Sequence, residues 1–197
     1  MQDWRFEFAA GILAALLMIS GALLNAPQAA TPGAVANKGS LALPNDVAAL
    51  LDDCKDDEII AAERQSLCSE LIGNTQLPAA VRAEALVNRG IVLLDDGHLN
   101  LAMADFEAAI VLNPGDPVAH AYRGEVFKAR GQLTDALVAY DTAIELDRNS
   151  ADLFANRGDI HRLLGARDKA HADFEAALKI ERDHHTAIAG LKALAKK

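Results

Sequence analysis

The chain repeats itself every 34 residues. Arg89-Gly90, Arg123-Gly124 and Arg157-Gly158 recur at that spacing, as do Gly97, Gly131 and Gly165. Ala102, Ala136 and Ala170 follow in phase, then the aromatics Phe106, Tyr140 and Phe174, then Ala109, Ala143 and Ala177. A period of this length belongs to stacked helical pairs, because one pair cannot bury its apolar face without a neighbour. Each unit has an apolar-periodic segment on either side of its Gly97-type glycine, and a left-handed C-cap there would fold the two into a hairpin. The glycines of the Gly90 type fall inside a helix, where glycine costs about 1 kcal/mol in propensity. Their recurrence predicts a neighbouring helix too close for a side chain, with the small alanines opposite and the aromatic filling the wedge between pairs. Aromatics make up only 5% of the chain and Gly plus Pro are few, which favours helix over sheet.

The spacing G-x6-G, A-x3-aromatic resembles the tetratricopeptide repeat (TPR) family over residues 83 to about 184. The chain departs from the family pattern in defined ways. Leu86, His120 and Phe154 stand at the pattern's Trp, arginine replaces its Leu each time, and only Pro114 keeps its terminal Pro, with Arg148 and Arg182 in the other units. The expected fold is therefore all-α: a TPR helical-hairpin solenoid of three repeats, 83–116, 117–150 and 151–184, within a domain spanning 81–197. A cap helix over 184–197 carries Ala187, Ile188, Leu191 and Leu194 on one face. The Asn-Arg-Gly spelling and an upstream cysteine pair further resemble exported bacterial TPR proteins.

The resemblance implies a superhelix whose first helices line a concave groove that receives a peptide or protein. Carried over position by position, the groove would present Asn88 and Ile91, then Tyr122, Glu125 and Lys128, then Asn156, Asp159 and Arg162. Glu125 with Lys128, and Asp159 with Arg162, could equally form solvated i,i+3 ion pairs. Asn88, Tyr122 and Asn156 share one repeat position and could hydrogen-bond a peptide backbone. The family's carboxylate clamp for chaperone C-termini is not expected, because Val87 and Ile91 hold its first-repeat positions and Asp152 stands where a Lys is needed. Arg89, Arg123 and Arg157 could form an anion ladder or could pair with helix-B acids, Asp105 and Asp173 being in place while Ala139 breaks the series.

Phe8 to Leu24, FAAGILAALLMISGALL, is charge-free and apolar, behind a short head with Arg5, Asp3 and Glu7. Residues 1–30 read as a secretory signal peptide or, alternatively, as an uncleaved membrane anchor. Residues 31–44, TPGAVANKGSLALP, read as a flexible linker. Residues 45–80 form a Cys-bearing helical segment with one short and one longer helix. In the bacterial periplasm, the location expected for such a chain, Cys54 and Cys68 should pair, stabilising by about 3 kcal/mol.

The chain lacks H-E-x-x-H, G-x-S-x-G and phosphate-cradling glycine motifs. None of His98, His120, His161, His171, His184 and His185 has a spacing that suggests a metal, and His184-His185 reads as exposed polar residues at a helix start. The expectation is therefore no enzyme, no cofactor and no metal. A formal charge of -9 disfavours nucleic acid. What remains is a protein-interaction scaffold outside the cytoplasm. The alternatives are a membrane-anchored assembly factor using the same groove, or a small-ligand or metal carrier. A solenoid this short also leaves a repeat end open to self-association.

Overall fold

The computed structural model describes residues 44–196; the apolar segment 8–24 and all of the linker but Pro44 lie outside the described residues. Nine helices run through the described residues: α1 Pro44–Lys55, α2 Ala61–Gly73, α3 Ala79–Asp95, α4 Leu99–Leu112, α5 Pro117–Ala129, α6 Leu133–Leu146, α7 Ala151–Leu163, α8 Arg167–Ile180 and α9 His185–Ala195. All lie within the unit Ser40–Lys197. Contacts run mainly between helices adjacent in sequence, and they are densest within the pairs α3–α4, α5–α6 and α7–α8. The fold is an all-helical solenoid, as the period requires.

Each hairpin turns on the same device. Gly97, Gly131 and Gly165 have φ of 78°, 74° and 76°. The amide of His98 reaches the Leu93 carbonyl at 2.7 Å and that of Gly97 reaches Leu94 at 2.9 Å. The same pair of bonds recurs at Gln132 and Gly131, and at Ala166 and Gly165. This is the Schellman closure, in which a glycine in the left-handed region satisfies carbonyls that the helix end leaves open.

The antiparallel hairpin brings residue i against residue i+16, and this register explains the mid-helix glycines. A Cβ on Gly90 would lie 2.6 Å from the Phe106 ring, one on Gly124 3.0 Å from Tyr140, and one on Gly158 2.9 Å from Phe174. The expectation of small alanines opposite these glycines is corrected: the notch receives the aromatic ring, and Ala139 at 3.4 Å from Gly124 is the one alanine among the nearest atoms. Ala102, Ala136 and Ala170 are buried beside the rings instead. Two of the rings also reach forward, Phe106 to Tyr122 of the next hairpin and Phe174 to Gly190 of α9.

The two cysteine-bearing helices are nearly equal in length rather than one short and one long, and Pro44, assigned to the linker, starts α1. Cys54 and Cys68 are joined and fully buried among Leu50, Leu71 and Ala85. No left-handed glycine turns this hairpin, so the covalent bond fixes the pair where the later hairpins use a Schellman closure. α3 begins at Ala79, ahead of the repeat start at 83, because its first turn packs Val81 against the disulfide cluster. Lys55 to Glu84 at 2.5 Å and Arg89 to Ser69 at 3.0 Å complete that junction.

At the other end, α9 covers Ala151, Ala155, Phe174 and Ala177 with Ala187 and Leu194. His184 is buried rather than exposed: its Nδ1 accepts the Ala187 amide at 3.3 Å as the cap of α9, and its Nε2 lies 2.9 Å from Asp152 on α7.

Candidate functional site

A concavity of about 590 Å³ opens between the first helices of the three hairpins. Leu94 and Asp95 at the end of α3 form one wall. Val118, Tyr122 and Glu125, spaced along one face of α5, form the floor, with Tyr140 of α6 behind them. The opposite wall is Asp152, Leu153 and Asn156 of α7, reached through Asp147 and Ser150 of the preceding turn. Three of the eight residues expected in the groove therefore meet here: Tyr122, Glu125 and Asn156.

The other five are placed differently. Ile91 packs against the first core cluster, and the Asn88 side-chain nitrogen is buried with no hydrogen-bond partner. Lys128 lies 2.5 Å from Glu125, and Arg162 lies 2.6 Å from Asp159, both i,i+3 on one helix. The local ion pairs foreseen from the spacing are thus the geometry adopted, and each holds its partners along its own helix.

Tyr122 is positioned by the ring stack on Phe106, with centroids 5.6 Å apart and planes 19° apart. Its hydroxyl has no hydrogen-bond partner among the described residues. Burial raises its pKa above the usual tyrosine value, and the carboxylates of Asp95, Glu125 and Asp152 push in the same direction. Tyr140 is fully buried and donates its hydroxyl to Glu125. Burial, then the adjacent Glu125 charge, drives its pKa well above the ordinary range. Glu125 is therefore held from two sides, by Tyr140 below and Lys128 along the helix.

The arginines stand outside this cavity. Arg89 gives Asp105 two hydrogen bonds, at 2.8 and 2.7 Å, and Arg157 gives Asp173 two, at 3.0 and 2.6 Å, with a third to Asp141 at 2.7 Å. Arg123 faces Ala139 in the same register, and its Nε is buried without an acceptor. The ladder is a set of braces within the first and third hairpins, with its middle rung missing and one extra bond, Arg157 to Asp141 of α6, that ties the third hairpin to the second.

Sequence reasoning placed neither Asp95 nor Val118 in the groove, and read Tyr140 only as the ring between helix pairs. The signal for one of them was present along a single helix, since Val118 lies four residues before Tyr122 on one face, whereas the register that sets Tyr140 beside Glu125 emerges only when α6 packs on α5.

Stacked hairpins, each closed by a left-handed glycine and wedged by a ring, define a helical-repeat scaffold with a groove along its first helices. The tetratricopeptide repeat pattern matches residues 83–116 and 151–184, a further TPR repeat pattern matches residues 124–165, and the chain belongs to the TPR family. No curated protein matches the sequence. Among solved structures, MamA aligns with a TM-score of 0.63 at 19% identity over 77% of this chain and 82% of its own. The Arabidopsis OM64 TPR domain gives 0.58 at 24% identity over 60% and 98%. The first TPR of Spaghetti (RPAP3), bound to the HSP90 peptide SRMEEVD, gives 0.57 at 20% identity over 59% and 93%. At these identities the likeness is one of fold.

Proposed function

We propose that this chain is an interaction scaffold that holds a peptide or protein segment in the groove of α3, α5 and α7, outside the cytoplasm. The observation that carries the reading is the cavity in which Tyr122, Glu125 and Asn156 converge from two hairpins, its size suited to several side chains of an extended segment. The fold relative with the HSP90 peptide supports peptide binding by this architecture. That peptide ends in acidic residues, which suit a basic clamp; the acids here point to a different ligand. The buried Cys54–Cys68 bond supports an oxidising compartment, and with the apolar segment 8–24 it favours export, most simply to a bacterial periplasm. Retention of the apolar segment would make the same groove that of a membrane-anchored assembly factor. No catalytic step is assigned, and the partner is proteinaceous rather than nucleic acid, metal or cofactor.

The test is affinity capture from the native envelope with the full chain, against a Tyr122→Phe, Asn156→Ala variant whose fold is confirmed by circular dichroism. A protein captured by the parent and lost by the variant supports the groove. Equal capture by both places the contacts elsewhere and overturns it.

A further inference from the structure

The groove reading leaves the chemistry of the occupant open, and the charges around Tyr122 supply it. Asp95 comes from α3, Glu125 from α5 and Asp152 from α7, so three carboxylates converge on one cavity from three hairpins, and Asp147 in the turn before α7 adds a fourth. This is not the solvated face of one helix, since no two of them share a helix. No lysine or arginine lines the cavity. Lys128 compensates Glu125 from outside it. Asp95 has no hydrogen bond or ion pair among the described residues. Asp152 is 82% exposed, and its partner is His184, which supplies a hydrogen bond without a charge when neutral. Between the acids the walls are apolar, Leu94 on one side and Leu153 on the other. Burial first, and then the charges of Asp95, Glu125 and Asp152, raise the pKa of the Tyr122 hydroxyl.

Resting on the groove reading above, we infer that the occupant is an extended segment carrying a lysine or arginine beside an apolar side chain, its cation seated between Asp95, Asp152 and the Tyr122 hydroxyl. A concave site of one sign of charge with apolar walls concentrates the opposite charge and penalises a like-charged ligand. An acidic C-terminal segment would meet four carboxylates and no cation, so the groove selects against the ligands that a basic clamp takes.

The experiment uses the isotopically labelled full chain, titrated to millimolar concentrations with three nonapeptides. One is three repeats of Ser-Leu-Lys, one three repeats of Ser-Leu-Glu, and one three repeats of Ser-Leu-Ser. The variant is Asp95→Asn with Asp152→Asn, which keeps an acceptor for His184. The expected result is that the lysine peptide shifts the amide signals of Tyr122 and Asn156, weakens by roughly tenfold against the variant, and loses affinity with added salt. The glutamate peptide should leave these signals unmoved. Equal binding of the lysine and serine peptides, or unchanged affinity for the variant, would overturn the charge inference while leaving the groove standing. If none of the three moves the Tyr122 and Asn156 signals, the groove reading itself falls and this inference with it.

Discussion

The Arg89 guanidinium grips the Asp105 carboxylate with two hydrogen bonds across the α3–α4 hairpin, and Asp105 is only 5% exposed. Removing one partner of such a pair strands the other, so Arg89→Ala is expected to cost about 3 kcal/mol in urea unfolding. The middle hairpin presents the reverse case. Ala139→Asp would supply the acceptor that the buried Arg123 Nε lacks, and a gain of about 1 kcal/mol is expected from the same measurement. A loss on that substitution would show that burying a carboxylate at Ala139, 1% exposed, costs more than the new bond returns.

The glycine notches make a second prediction. Alanine is the better helix former by about 1 kcal/mol, yet Gly90→Ala sets a methyl 2.6 Å from the Phe106 ring in a fully buried site. The clash is expected to win, with a net loss of about 1–3 kcal/mol in denaturant unfolding. Gly73, where an added Cβ would meet nothing within 4 Å, is the control. Phe106→Leu combined with Gly90→Ala should recover part of the loss.

Reduction of Cys54–Cys68 should lower stability by about 3 kcal/mol and act locally. In a stack each hairpin touches its neighbours, so hydrogen exchange is expected to quicken in α1, α2 and the first turn of α3 while α7 to α9 keep their protection. Uniform loss along the chain would mean that the solenoid unfolds as a single cooperative unit.

Alkaline pH should find the tyrosines. Unfolded tyrosine ionises near pH ~10, while burial and then Glu125 hold the folded Tyr140 hydroxyl well above that. The folded state keeps its proton where the unfolded state loses it, so this contribution is present below about pH 10 and disappears as pH rises further. The chain contains two tyrosines, both with raised pKa. Phenolate absorbance is therefore expected to appear together with the loss of helical circular dichroism, not before it.

The hairpins were legible in the sequence because their closure and their packing both use residues with few substitutes. Gly97, Gly131 and Gly165 mark a backbone conformation, and Gly90, Gly124 and Gly158 mark a space. The partner of each notch was less legible. Periodicity along one helix shows which residues share a face, but the i+16 register that sets Phe106 against Gly90 belongs to two helices and to the length of the turn between them. The groove was legible in part for the same reason. Tyr122, Glu125 and Asn156 followed from repeat position, whereas Asp95 enters because α3 ends beside α5. Asp152 was noticed as the wrong charge for a carboxylate clamp, and that same charge supports a basic occupant. His184 was misread because a polar residue at a helix start is ordinarily exposed, and its burial depends on Asp152, 32 residues away.

The two ends of the stack are secured by unlike means, a covalent bond between α1 and α2 and a histidine hydrogen bond beneath α9. Under mechanical load applied to its termini, the array would come apart hairpin by hairpin from the carboxyl end. Extension would then halt short of the full contour, because the 14-residue span closed by Cys54 and Cys68 withholds roughly 43 Å of chain.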